Sequence, residues 1–268
     1  MGDIFGYGKK DQHFLTYSLV LIVTIFCFFF LRLFDVIESL NAGVISLNSK
    51  FISEEILTIF RTSCSLLAFY TIFILMIFDK EGGNMNPLFH KERITRSHKT
   101  MGLERMVPFS SWTLIIFGIY FLSVSILGWI ELFDSNLPKF LVLSSGMLLP
   151  MALGMSMLTA TVVTYVIIPE EVKSDRDYNH LFKTHEMVMH NWTVILISLD
   201  VILSQPNLNW QLAIFGLIIG IIYTSFAYYW AKFGGGYYVY SFIDPRIKYG
   251  PIIMLVLAIV ISLFYLLI

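Results

Sequence analysis

The chain has 268 residues, 57% of them hydrophobic and 14% charged, with a net charge of −1 and a mean hydropathy of +0.74. A soluble domain averages about 25% charged residues, so an ordinary soluble enzyme is excluded. The net charge gives no basis for nucleic-acid binding, and no nucleic-acid partner is expected.

Seven apolar runs follow in chain order, at 14–34, 57–78, 109–131, 140–168, 186–204, 211–232 and 251–268. Each is near the roughly 20 apolar residues that a spanning helix needs. Helices are the default in lipid, because every backbone N–H and C=O must be paired within its own segment. The expected fold is an all-α polytopic membrane helix bundle of about seven transmembrane helices. Met1 to His13 is polar and the first run has spanning length, so no cleavable signal is expected. Met1-Gly2 is a weak myristoylation match, since Gly6 stands where Ser or Thr is wanted.

Charge sets the orientation. Of the 18 lysines and arginines, 14 lie in the N-terminal stretch or beside the second, fourth and sixth loops, Arg93, Arg96, Arg105, Arg176 and Arg246 among them. Only Arg32, Lys50 and Lys139 lie on the other side, with Arg61 inside the second run. The positive-inside rule then places the N-terminus inside and the C-terminus outside. Cys27 and Cys64 both fall within spans, so no disulfide framework is expected. The longest polar stretch, 79–108, reads as a loop or a short interfacial helix carrying Arg93, Arg96 and Lys99.

Ionisable groups within spans are costly and therefore informative. Arg61, in the second run, and Asp200, in the fifth, sit at similar depth near the outer ends with opposite sign. They are a candidate structural ion pair, against separate snorkelling to the interface. In the fifth run His190, Thr193, Ile197 and Asp200 step by 3, 4 and 3, with Glu186 one turn before His190. That polar stripe should face the bundle interior. His185 and His190 are about 140° apart on a helix, which argues against a zinc-protease motif, and no metal or organic cofactor is expected. Asn191-Trp192-Thr193 matches a glycosylation sequon but lies in a span.

His190 and Ser110, at the start of the third run, fall at similar depth on the same side. Hydroxyl plus imidazole is the minimum for an activated nucleophile, and Glu186 is placed to orient the imidazole. The competing readings are a helix cap for Ser110 after Pro108 and a packing histidine for His190. Gly216 and Gly220 read as a close-approach face. Met147, Met151 and Met155 read as adaptable packing around Pro150. Gly234-Gly235-Gly236 reads as a helix terminator before an interfacial aromatic run, Tyr237-Tyr238-Val239-Tyr240.

Three blocks resemble the androgen-induced membrane protein family, which includes the androgen-dependent regulator of tissue factor pathway inhibitor and, more distantly, the rolling-stone proteins. They are Phe109-Ser110-Ser111-Trp112-Thr113 followed by Phe117-Gly118-Ile119-Tyr120-Phe121; His190 with Asp200 ten residues later; and Tyr223 followed by Gly236-Tyr237-Tyr238-Val239-Tyr240-Ser241-Phe242-Ile243. Tyr238 and Ser241 depart from the Trp and Pro of the family's third block. The resemblance divides the chain into an N-terminal two-helix extension with its basic loop, 1–108, and a five-helix core, 109–268, within one membrane domain.

What the resemblance implies is an intramembrane hydrolase of fatty acid esters of hydroxy fatty acids. The family's threonine nucleophile falls on Ser110, or on Ser111 if the register slips by one, and its histidine on His190. An apolar cavity between the third, fifth and sixth helices would hold acyl chains. Membrane lipids are the implied partners, in the endoplasmic reticulum or another endomembrane. Because serine replaces threonine, the alternative is a non-catalytic subunit of a larger membrane complex, for which protein partners and the mitochondrial inner membrane are expected.

Overall fold

Each apolar run forms a helix. α1 is His13–Leu33, α2 Glu54–Ile77, α3 Phe109–Phe133, α4 Lys139–Lys173, α5 Thr184–Ser204, α6 Trp210–Phe233 and α7 Gly250–Leu266. The computed structural model describes residues 6–41, 43–133, 136–175 and 178–267; Gly2 and Arg176 lie outside them. The protein is an all-α polytopic membrane bundle. Six helices are long and apolar enough to cross a bilayer, while α7 has 17 residues. At 1.5 Å per residue α7 is about 26 Å long, at the short end of the spanning range. Its Tyr265 hydroxyl still donates to the Asn209 carbonyl just before α6, at 3.1 Å, so the C-terminal end of α7 reaches the start of α6.

The connections sort onto two faces. On the first, the Lys248 amide donates to the Gly6 carbonyl at 3.0 Å, Arg93 pairs with Asp11 at 2.7 Å and Asn86 donates to Glu171 at 3.1 Å. On the second, the Asn207 amide donates to the Val44 carbonyl at 2.9 Å and the Ser49 hydroxyl to the Leu203 carbonyl at 2.6 Å. The N-terminal stretch and the second, fourth and sixth loops thus share one face, hereafter the basic face.

The 79–108 segment differs from the interfacial-helix option. Strands β1 (Gly83–Met85) and β3 (His98–Thr100) pair antiparallel. Strand β2 (Leu88–Phe89) pairs with β4 (Tyr237–Tyr238) of the sixth loop. Arg93 has φ +57, a left-handed conformation that interrupts any helix there, and Arg96 lies over the Phe89 ring at 3.9 Å. The aromatic run also corrects the interfacial-belt expectation. Tyr237 and Tyr238 are each 1% exposed, and Tyr237 donates to Glu104 at 2.8 Å. Gly236, at φ +78, turns the chain inward to place them.

The apolar core centres on α3, whose Leu114, Phe117, Tyr120, Phe121 and Val124 are fully buried. α2 packs along α3, α3 along α4, and α7 against α4 and α6. The polar stripe of α5 does face inward: His190, Thr193, Ile197 and Asp200 are all buried. One close helix approach, made against a backbone carbonyl, is one that sequence spacing did not single out. A Cβ on Gly154 would stand 2.7 Å from the Ile261 carbonyl oxygen, whereas one on Gly216 would meet that oxygen at an ordinary 3.5 Å. Gly154→Ala should therefore force α4 and α7 apart. The expected cost is about 1–3 kcal/mol, read as a lowered thermal midpoint in detergent, while Gly216→Ala should leave the midpoint nearly unchanged.

Candidate functional site

α3 begins after Pro108, whose carbonyl accepts from Ser111 N at 3.1 Å and Trp112 N at 3.4 Å. Pro108 is thus the cap, and Ser110 lies inside the first turn, which removes the capping explanation for it. The N–H groups of Phe109 and Ser110 belong to the unpaired donors of a helix start. The Tyr240 phenol oxygen lies beside both of them and beside the Ser110 hydroxyl. Burial pushes the Tyr240 pKa up and these donors offset part of the rise, leaving it at about 12. The phenol is therefore protonated at neutral pH and able to donate.

Ser110 and Ser111 differ in what holds them. Ser111 is 0% exposed and donates to the Arg105 carbonyl at 2.7 Å. Its hydroxyl is committed to structure. The only neighbour of the Ser110 hydroxyl among the described polar contacts is Tyr240.

α5 changes pitch at Val188–Trp192, where one wider π turn carries His190. Such bulges occur often at functional sites. His190 Nε2 is 3.4 Å from Glu186 Oε2, while Nδ1 is buried and has no hydrogen-bond partner. Next to it, buried Arg105 donates to His185 Nε2 at 2.8 Å. That nitrogen must then accept from Arg105, so it cannot also donate to Glu186 Oε1, 3.4 Å away; the Glu186 carboxylate stands between the two imidazoles, 3.4 Å from each. Arg105 also bonds the Met76 carbonyl at 3.1 Å and Asp79 at 2.9 Å. The Glu81 amide and Arg105 hold the Asp79 carboxyl below the usual carboxylate range, so this pair stays charged at neutral pH.

These groups meet in one polar cavity at the basic face. Ser110, Ser111, Glu186, His190, Arg105 and Tyr240 all line it, with Asn84 and Asn86 from the 79–108 segment, around about 970 Å³ of space counting its mouth. No hydrogen bond joins Ser110 to His190; such bonds commonly tighten only with substrate seated. Beside it lies an apolar cleft of about 860 Å³, again counting its mouth. The cleft is walled by α1, α4, α6 and α7, which corrects the expected placement between the third, fifth and sixth helices: α5 contributes nothing to it, and α3 only Phe109. Ile167, Tyr240 and Phe242 line both spaces, so the two adjoin.

Arg61 and Asp200 meet near the opposite face. Arg61 Nε lies 2.7 Å from Asp200 Oδ1, with the two side chains 1% and 0% exposed. Tyr120 donates to Asp200 Oδ2 at 2.6 Å, and Arg61 Nη2 donates to the Ser46 carbonyl at 3.0 Å. The ten residues from His190 to Asp200 span about 15 Å of helix, so this cluster is separate from the polar cavity.

Three contributors are not legible in the sequence as parts of this cavity: Arg105 stands there as one of the basic-side charges, His185 only as half of a rejected zinc-protease motif, and Tyr240 as part of an aromatic belt. The fold and the site define a class, a polytopic helix bundle with a hydroxyl, imidazole and carboxylate around one cavity at the basic face. No family model, curated protein or solved structure matches the chain.

Proposed function

We propose that the protein is an intramembrane hydrolase of lipid esters, of the kind that cleaves fatty acid esters of hydroxy fatty acids. The observation that carries this reading is the shared cavity of Ser110, Glu186 and His190, beside an apolar cleft. In this reading the Ser110 hydroxyl attacks the ester carbonyl carbon. His190 takes the hydroxyl proton on Nδ1, the nitrogen that Glu186 leaves free, and Glu186 fixes the ring through Nε2. The Tyr240 phenol donates to the oxyanion that forms. His190 then gives its proton to the departing hydroxy-acid oxygen, leaving Ser110 acylated. Water, deprotonated by the same imidazole, releases the fatty acid and restores the serine.

An endomembrane location such as the endoplasmic reticulum goes with this reading. The second reading, a non-catalytic subunit held by protein partners, draws on the missing Ser110–His190 hydrogen bond. The test is turnover of a fatty acid ester of a hydroxy fatty acid by the full chain in lipid nanodiscs. Released fatty acid is expected, and Tyr240→Phe should lower kcat about 10²-fold with KM little changed, the usual effect of losing one oxyanion donor. No release by well-folded protein would favour the subunit.

A further inference from the structure

Two imidazoles compete for one carboxylate in the wall of the polar cavity. His185 and His190 are five residues apart, about 140° on an ideal helix. The wider turn at Val188–Trp192 closes that angle. His185 Nε2 stands 3.4 Å from Glu186 Oε1, and His190 Nε2 stands 3.4 Å from Glu186 Oε2. Either imidazole, with a proton on Nε2, could take the carboxylate from the other. The deciding group is the third one at His185 Nε2, the Arg105 guanidinium, 2.8 Å away.

A guanidinium has donors only. Two donors 2.8 Å apart would repel, so His185 Nε2 is bare and accepts, and the proton of the neutral ring lies on Nδ1. Held this way, His185 has no proton to give Glu186. Arg105 is itself fixed. Its side chain is 3% exposed, and Nη1 donates to the Leu75 carbonyl at 3.2 Å, the Met76 carbonyl at 3.1 Å and Asp79 at 2.9 Å. Strand β1 leaves the guanidinium its space, since a Cβ on Gly83 would stand 3.2 Å from Arg105 Nε. The Arg105 carbonyl accepts from the Ser111 hydroxyl at 2.7 Å. One residue is thus tied both to the helix that carries Ser110 and to the helix that carries His190.

We propose that Arg105 is a positioning residue for the base. By fixing His185 as an acceptor it reserves the Glu186 carboxylate for His190, which then carries its proton on Nε2 and keeps Nδ1 bare for the Ser110 proton. The catalytic use of this arrangement rests on the hydrolase reading, but the placement of the protons can be measured without turnover. Without Arg105, His185 is free to hold a proton on Nε2 and to bind Glu186. His190 then loses the partner that orients it and stabilises its imidazolium. Loss of Arg105 therefore acts like loss of the Glu186 charge, and does so only while His185 is present to compete.

Nitrogen-15 NMR of the full chain in lipid nanodiscs, with labelled histidine, reads the protons directly. The two sets of signals are assigned by their loss in His185→Phe and in His190→Phe. At neutral pH His185 should show a bare Nε2 and a protonated Nδ1, and His190 the reverse. A proton on His185 Nε2 would overturn the proposal. Kinetics supply the second arm. Arg105→Gln should lower kcat for ester hydrolysis about 10²-fold with KM little changed. The same substitution made on His185→Phe should change that variant's kcat by less than about twofold. A purely structural Arg105 predicts equal losses in both backgrounds, and that result would also overturn the proposal. If Arg105→Gln does not fold, the NMR reading of the unaltered chain decides alone. The expected proton placement in a well-folded protein that hydrolyses no ester would refute the hydrolase reading and leave the role of Arg105 at His185 standing. Ester hydrolysis with a proton on His185 Nε2 would do the reverse.

Discussion

On the proposed hydrolase reading, ester hydrolysis is expected to fall by on the order of 10³ or more in Ser110→Ala and again in His190→Ala, with the double variant no worse than either alone. Non-additivity is expected because neither group has a catalytic use without the other: the imidazole has no proton to take, and the hydroxyl has no base. Ser111→Ala should retain most activity. Its hydroxyl is bound to the Arg105 carbonyl, so its loss is a local packing change. Glu186→Gln should lose about 10² or more, since the amide can still touch His190 but no longer stabilises the imidazolium. Initial rates against one ester in nanodiscs, with folding checked by size-exclusion profile, provide the comparison. Equal losses in Ser110→Ala and Ser111→Ala would point to a folding defect of the first turn of α3.

Asp200→Ala is expected to be the most destabilising single change, at about 3–5 kcal/mol. It leaves the Arg61 guanidinium, 1% exposed, without its counter-charge and removes the acceptor of the Tyr120 hydroxyl. Water cannot reach either group to compensate. The sign is diagnostic of a broken pair rather than of lost packing, because the double change Arg61→Met with Asp200→Leu should recover much of the loss. Thermal unfolding in detergent measures both variants. A double variant as unstable as Asp200→Ala would show that the polar cluster itself, with the Ser46 carbonyl and Tyr120, is what holds α2, α3 and α5 in register.

The sequence carried the bundle because lipid leaves little choice. Seven apolar runs became seven helices with ends within a few residues of those expected, α4 extending furthest, to Lys173. The inward stripe of α5 was legible for the same reason, since polarity at helical spacing has to leave the lipid. Less legible was the basic face. Its short strands at Leu88–Phe89 and Tyr237–Tyr238 pair segments almost 150 residues apart, and two-residue strands have no periodicity to read. Tyr240 reached the helix start of Ser110 through that pairing. The apolar cleft was expected in the wrong place because periodicity shows which face of a helix is apolar but not which helices face each other. The close contact at Gly154 was missed for a related reason: its partner is a backbone carbonyl, which leaves no residue signature.

The proposed activation of Ser110 by His190 is tested most directly by covalent labelling with a fluorophosphonate probe in native-like membranes. Wild type and Ser111→Ala should label, and Ser110→Ala and His190→Ala should not. Absence of label on well-folded wild type, or label that survives Ser110→Ala, would contradict the claim.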